Sequence, residues 1–497
     1  MNRGFVFSTV AFLVFLPLLS TVALAQCSGN VSTPSAAADC AAGATPQQKI
    51  AAADPAHLYT LAELIDIAEH NNPRTRIAWE RAKQRADQLG IARSAYYPVL
   101  AGIATFADER IISPFPKPLA PLGYTLVTAP SVQPEIELQY LLFDFGRRGA
   151  KVDAATAQKL AVGANFIQTN QAVAFQVASG YYSLITAQER LQAAEETLQT
   201  AQTTQDAAEN QLNNGRATLP DVLNARAQKS QAAFDRESAD GDEKVARVAL
   251  TEAIGVEPTP NIKIAAQADA LLPQTLTMTI DALIDRALAD RPDLMAQAAE
   301  IRAAEDEIRA AKAAYRPTVS IDANGAWTSI WPTSSYGVLG SASKPTWSAA
   351  AVLEWRLFDG GARKNELAEA LSKHREAEDD LTDKRDQAHR EVWTAYIGFR
   401  TALRKQQAAV ALLESANESY SASLDAYKYG VKNLIDVVTA EQQLAQARLS
   451  GVSARSQLFL QAVNLEFVTG NLLRSPPAAT SIQPQQRNGP ANDQDKK

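Results

Sequence analysis

The chain is expected to be a mixed α/β membrane protein: two tandem repeats, four barrel strands in all, and long coiled-coil helices. Three observations lead there. An ordered set of landmarks recurs once, at offsets of 219 (283 − 64) and then 215 (358 − 143) residues. Four runs alternate apolar with polar residues, the period of a strand wet on one face only. Long proline-free stretches of helix formers repeat Ala and Leu every seven residues, the mark of helices packed side by side.

Composition narrows the possibilities first. The 497 residues hold 48 Lys+Arg and 55 Asp+Glu, a net charge of −7. That balance excludes nucleic acid as a partner, because phosphate backbones demand clustered Lys and Arg. Two Cys and four His supply little for a thiolate or imidazole metal site, so no metal or cofactor is expected. Apolar residues make up 46% but aromatics only 7%. Burial must therefore come mostly from Ala, Leu and Val, which suits long helices.

The N-terminus carries Arg3, an apolar run from Phe5 to Leu19 and then Ala23-Leu24-Ala25. This is a secretory signal peptide over 1–25, cleaved after Ala25. Cys27 invites a lipoprotein reading, but Gln26 before it is not small. Cys27 and Cys40 either pair in an oxidising compartment or are incidental thiols. Residues 26–57 read as a disordered lead-in and 471–497 as a disordered tail. The stretch from Leu160 to Gln188 has no charge in 29 residues, yet Asn165, Gln168, Asn170, Gln171 and Gln176 disqualify it as a lipid-facing helix. An exported chain without a spanning helix is soluble, peripheral or an outer-membrane β-barrel.

The recurrence defines a first repeat at 58–255, a linker at 256–278 with Pro258, Pro260 and Pro273, and a second repeat at 279–470. Leu64-Ile65-Asp66 matches Leu283-Ile284-Asp285, and Ala95-Tyr96-Tyr97-Pro98 matches Ala314-Tyr315-Arg316-Pro317. Phe143-Asp144 matches Phe358-Asp359, and Gly215 with Asp221-Val222 matches Gly430 with Asp436-Val437. Each copy should open with a helix of about 35 residues, ended at the helix–strand junctions Pro98 and Pro317, since proline lacks the donor a helix interior needs. Strand runs follow: Val99–Phe106 (the weakest), Glu135–Tyr140, Thr318–Asn324 and Leu353–Leu357. Aromatics cluster at their ends, as barrel strands across a bilayer require. A small soluble sheet would show the same alternation. Four strands cannot close in lipid, where unpaired backbone groups are too costly. Two chains would supply eight strands and three would supply twelve.

From Gly146 to Leu212 no proline interrupts 67 residues, ~100 Å of helix at 1.5 Å per residue. Leu184, Leu191 and Leu198 keep a seven-residue register, as do Ala187, Ala194, Ala201 and Ala208; Tyr396, Leu403, Val410 and Leu424 continue it in the second copy. Such helices suit either the wall of a tube or a plain coiled coil. Each hairpin turns at Gly215 or Gly430, with Asp221 or Asp436 near the start of the returning helix. An acid there is favoured by the helix dipole. The flanking pairs Leu219/Val222 and Leu434/Val437 suggest contact with a partner.

Together these residues resemble the TolC-like outer-membrane efflux proteins over about 59–470. The resemblance implies a homotrimer: a twelve-stranded β-barrel in outer-membrane lipid of a Gram-negative bacterium, continued by an α-helical periplasmic barrel. It implies a passive exit duct for efflux or type I protein secretion, joined to a periplasmic adaptor (membrane fusion protein) and an inner-membrane transporter. The tips Gly215, Leu219, Val222, Gly430, Leu434 and Val437 would contact the adaptor. The periplasmic gate would comprise Asp221, Tyr427, Lys432 and Asp436, with Asp221 bonded to Tyr427 and Lys432 and with Thr439 where the family expects a second acid. An enzyme is not expected, as no His-Glu-x-x-His, phosphate loop or Gly-x-Ser-x-Gly is present and His374 and His389 read as solvated. The competing reading is a soluble periplasmic coiled-coil adaptor or scaffold.

Overall fold

The computed structural model describes residues 56–114, 116–117, 121–259, 261–265 and 278–473. The expected signal peptide with its expected cleavage site at Ala25, nearly all of the expected lead-in, most of the expected linker and the chain from 474 onward lie outside the described residues.

The chain runs β1 (Leu58–Tyr59), α1 (Leu61–Asn71), α2 (Pro73–Ser94), β2 (Val99–Pro114), β3 (Tyr124–Phe143), α3 (Arg147–Asn213) and α4 (Leu219–Ala253). After β4 (Lys263–Ile264) the order returns: α5 (Ile280–Asp290), α6 (Pro292–Ala313), β5 (Thr318–Ile330), β6 (Thr333–Ser334), β7 (Gly337–Val338), β8 (Ala342–Glu354), α7 (Ala362–Lys428) and α8 (Leu434–Val468). Corresponding helices have equal lengths: 22 residues in α2 and α6, 67 in α3 and α7, 35 in α4 and α8.

The single opening helix expected of each copy is broken in two. Asn72 and Arg291 adopt extended geometry, and Pro73 and Pro292 start the next helix at its first position. Proline there sacrifices a donor the helix does not need, while pushing its predecessor out of the helical region. The Asn72 side chain accepts from Arg74 N and donates to the Ala253 carbonyl at 2.9 Å, so the corner also ties down the end of α4.

Four long strands form one antiparallel sheet in the order β2-β3-β5-β8, with the β6–β7 hairpin beside the far end of β3. The register aligns Gly102 with Ile136, Gly325 and Trp347 across the sheet, and Ala101 with Glu137, Asn324 and Ser348 one step away. Since side chains alternate faces, one face carries Leu100, Phe106, Ile136, Leu138, Ile321, Trp327 and Trp347. The other carries Glu135, Glu137, Gln139, Asp322, Asn324 and Ser348. The strands are 16, 20, 13 and 13 residues long, well beyond the patterned runs. The alternation fades where β2 and β3 pass beyond the apolar band, because nothing there separates the two faces chemically. The last run is displaced: β8 ends at Glu354, so Trp355 and Leu357 lie past it. Among the described residues β2 and β8 each pair on one side only, leaving two open edges.

Helix α3 is the spine. Along it pack α2, α4, α6 and α8. Of the two expected registers, Leu184, Ala187, Ala201 and Ala208 are buried, whereas Leu191, Ala194 and Leu198 are only partly so. In α7 the expected seam is displaced by one residue over Tyr396, Leu403 and Val410, while Leu424 is buried as expected. The buried line is Ala395, Ala402, Ala409, Ala416 and Ser423, whereas Val410 is 57% exposed. Close backbone approach selects the smallest side chains for the seam, not the largest apolar ones. Below the sheet, the main core gathers Leu64, Val177, Tyr181, Leu184, Leu250 and Ile254. Ile262 joins it from the linker, next to β4, which pairs in parallel with β1.

Gly255 and Gly470 close α4 and α8 with φ of +74° and +75°. A Cβ on Gly255 would lie 2.8 Å from the Asn72 backbone, and one on Gly470 would lie 2.9 Å from the Asp290 carbonyl oxygen. Both conformation and space demand glycine. Gly255→Ala and Gly470→Ala are each expected to cost ~1–3 kcal/mol, seen as a lower thermal midpoint in detergent. Gly241→Ala, inside α4 with nothing within 4 Å of its Cβ, should not lower it.

Candidate functional site

Two regions gather the residues singled out by sequence: the junctions where helices become strands, and the hairpin tips.

At each junction two motifs meet. Pro98 and Pro317 stand just before β2 and β5. The Asp144 carboxylate accepts from Gly146 N (3.3 Å), Arg148 N (2.7 Å) and Arg148 Nε (3.2 Å). Arg148 then donates to the carbonyls of Leu141 (2.6 Å), Leu142 (3.0 Å) and Ala95 (3.2 Å). It also lies 5.5 Å from the Tyr96 ring centroid. In the second copy Asp359 holds Gly361 N at 3.1 Å and Arg363 Nε at 2.5 Å, with Arg363 5.2 Å from the Tyr315 ring. Sequence reasoning missed both arginines. Their signal was available: each follows its aspartate by four residues, and they are themselves 215 apart (363 − 148). Arg148→Ala strips caps from the last strand carbonyls and strands a buried carboxylate. A loss of ~2–4 kcal/mol is expected, read as lower yield of folded protein from detergent extracts, with Arg148→Lys intermediate.

At the tips, Gly215 and Gly430 take φ of +72° and +77°. Arg216 N donates to Gln211 O and Val431 N to Ala426 O, both at 2.8 Å, closing α3 and α7 with matching left-handed caps. Asp221 starts α4: its carboxylate accepts from Thr218 N at 2.9 Å and Thr218 Oγ1 at 2.7 Å. Asn433 starts α8, its Oδ1 accepting from Asp436 N at 2.9 Å, while the Asp436 side chain is exposed.

The expected bonds from Asp221 to Tyr427 and Lys432 are not made within one chain. Asp221 is engaged by Thr218, and Lys432 Nζ donates to Ser423 Oγ at 3.2 Å. The Tyr427 hydroxyl is buried without a hydrogen-bond partner in the chain. Burial pushes the Tyr427 phenol up, and the Asp221 charge adds to it, so the two stand within electrostatic reach. A contact missed by sequence binds the tips: Gln211 Nε2 donates to the carbonyls of Tyr427 (3.0 Å) and Lys428 (2.7 Å), joining the ends of α3 and α7.

The expectation for the apolar tip residues needs correcting. Val222, Leu434 and Val437 are buried in the tip's own core with Tyr420, Leu424 and Leu444. They face inward because α8 lies along α3 there, so their burial is spent within the chain. Leu219 is exposed as expected, and so are Leu223, Tyr429, Val431 and Ile435.

Above the tips, ion pairs link α3 to α8: Glu189 with Arg455 at 3.4 Å and Glu196 with Arg448 at 3.3 Å. Among the described residues no helix is long and apolar enough to cross a membrane, and no cluster of His, Cys, Asp and Glu is placed to hold a metal ion.

A sheet with one apolar face, set on a shaft of helices, defines a membrane protein of the β-barrel kind rather than a helical one. The chain belongs to the outer membrane efflux protein family, which it matches over residues 64–256 and again over 283–471. It is therefore an outer-membrane exit duct for efflux or secretion. It is 28% identical over 423 residues to protein CyaE of Bordetella pertussis, covering 84% of this chain and 85% of that one. To outer membrane protein OprJ of Pseudomonas aeruginosa it is 27% identical over 462 residues, 90% and 93% of the two chains. To SrpC of Pseudomonas putida, a solvent efflux pump outer membrane protein, it is 26% identical over 408 residues, 81% and 82%. A membrane protein structure from Pseudomonas aeruginosa matches with a TM-score of 0.71 at 26% identity, over 82% of this chain and 93% of that one. The outer-membrane channel OprN shares the fold, with a TM-score of 0.70 at 18% identity over 86% and 97%.

Proposed function

We propose that three copies of this chain pool their strands into one twelve-stranded barrel, from which their helices continue as a periplasmic tube. The two open sheet edges carry this reading: in hydrocarbon each unpaired N–H or C=O costs several kcal/mol, and β2 of one copy can pair with β8 of the next. The apolar face then meets lipid. The face with Glu135, Glu137 and Asp322 lines water. Residues 58–255 and 279–470 act as two like units within each copy. The sequence holds no phosphate loop, so the duct conducts passively and work comes from partners: an inner-membrane transporter and a periplasmic adaptor. The adaptor meets the tips at Gly215, Gly430 and Leu219, together with exposed Leu223, Tyr429, Val431 and Ile435. After carbonate extraction the protein should stay in the membrane pellet, and cross-linking should stop at three copies. A carbonate-soluble single chain would favour the scaffold reading instead.

The periplasmic mouth closes where the three pairs of tips converge, with Asp221, Tyr427, Lys432 and Asp436 contributing between neighbouring chains. The unpartnered Tyr427 hydroxyl supports this, because a buried donor of that kind costs ~1–3 kcal/mol until it is satisfied. Asp221→Ala and Tyr427→Phe should each raise single-channel conductance. Asp221→Ala also removes a helix cap, so Thr218→Ala is the control: it weakens the cap alone and should leave conductance unchanged. Equal conductance in all three variants and the native protein would overturn the gate.

A further inference from the structure

The ion pairs between α3 and α8 follow a seven-residue ladder that inverts near the mouth. Glu189 and Glu196 on α3 meet Arg455 and Arg448 on α8. Seven residues back along α8 stands the acid, Glu441, and eight residues on along α3 a hydroxyl, Thr204. Thr204 Oγ1 donates to Glu441 Oε2 at 2.7 Å. The Tyr420 hydroxyl of α7 lies 3.3 Å from the same Oγ1 and donates to the Thr200 carbonyl, also at 3.3 Å. Arg448 closes the group by donating to Thr200 Oγ1 at 3.2 Å. Glu441, Thr204, Thr200 and Tyr420 are all buried, and Ala440 and Leu444 beside Glu441 belong to the apolar tip core. The charged and titratable groups facing Glu441 are Arg448 on its own helix, Tyr420 on α7 and, across Arg448, Glu196 on α3. None of Asp221, Tyr427, Lys432 or Asp436 takes part.

We propose that Glu441 and Arg448 are positioning residues of a second latch, which joins the two hairpins of each chain in the closed duct and takes up a proton as it closes. The proposal rests on the duct reading above. A carboxylate withdrawn from water and given one hydroxyl donor is poorly compensated. Burial pushes the Glu441 carboxyl up, and the Thr204 bond and the Arg448 charge pull it only part of the way back. Parting the hairpins returns Glu441 to water and to its ordinary value near 4.5. The closed form therefore holds the proton more tightly. Its advantage is absent above the raised value and grows as pH falls from there toward 4.5, about tenfold in the closing equilibrium for each unit of difference.

The test is the open probability of single channels of the full-length protein in planar bilayers, followed as the pH is lowered from about 7.5 to about 5, toward the ordinary carboxylate range. The native protein should close progressively toward pH 5. Glu441→Gln keeps the shape and the acceptor for Thr204 but is neutral throughout, so it should be biased closed at pH 7.5 and insensitive to pH. Thr204→Val removes a donor that favours the charged form, so its closing midpoint should move to higher pH; a merely weakened interface would open at every pH. A native profile in Glu441→Gln, or a flat native profile in a conducting channel, overturns the latch. If neither the native protein nor Asp221→Ala conducts at any pH, the duct reading itself fails and the latch with it.

Discussion

Hydrocarbon offers no hydrogen bonds, and that single constraint organises the molecule. A four-stranded sheet with an apolar face needs lipid on that face, yet its open edges forbid it from standing in lipid alone. Only closure reconciles the two, which is the ground for the proposed pooling of strands from several copies. The long helices follow from this. They descend directly from the strands through the Asp144–Arg148 and Asp359–Arg363 corners, so any symmetry imposed on the sheet is handed to the shaft. Arg148 stitches the last carbonyls of β3 to the first helical turn, where a change of secondary structure would otherwise leave acceptors unsatisfied, and Arg363 pairs with Asp359 at the matching corner.

Within the shaft, cohesion is divided between two kinds of contact. Alanine seams, such as Ala395, Ala402, Ala409 and Ala416, let neighbouring backbones approach closely and exclude water. Alanine, however, specifies register poorly, since one small side chain fits where another did. The polar rungs between α3 and α8 supply what the seams lack, because a charge displaced by one turn meets no partner. Half-buried pairs of this sort add little net stability but penalise wrong alignments.

Much of this was legible in the sequence, and the gaps have physical reasons. The recurrence of Phe143-Asp144 at Phe358-Asp359, and of Gly215 at Gly430, located junctions and turns, because both depend on special backbone geometry that few residues satisfy. The strand ends were missed, because β2 and β3 run on past the zone where lipid and water impose opposite demands. The α7 seam was misplaced by one residue, because the eye follows Leu and Val while packing there rewards Ala. At the tips, position alone could not show that Val222, Leu434 and Val437 turn inward, since that depends on the two hairpins packing together, as where Thr204 of α3 meets Glu441 of α8, 237 residues away in the chain. Arg148 and Gln211 escaped notice because their bonds go to backbone carbonyls, which leave no signature in composition.

One oxygen at the mouth serves two masters. Asp221 Oδ2 receives both the amide and the hydroxyl of Thr218, which gives α4 its clean beginning, while the same group's charge is felt by Tyr427. Rigidity of the hairpin and the charge beside Tyr427 are thereby inherited together. A descendant carrying an amide at this site would retain the crisp helical start but surrender the charge, whereas one carrying a small apolar residue would lose both in a single step. The freedom of this tip to vary is thus limited by local helix chemistry.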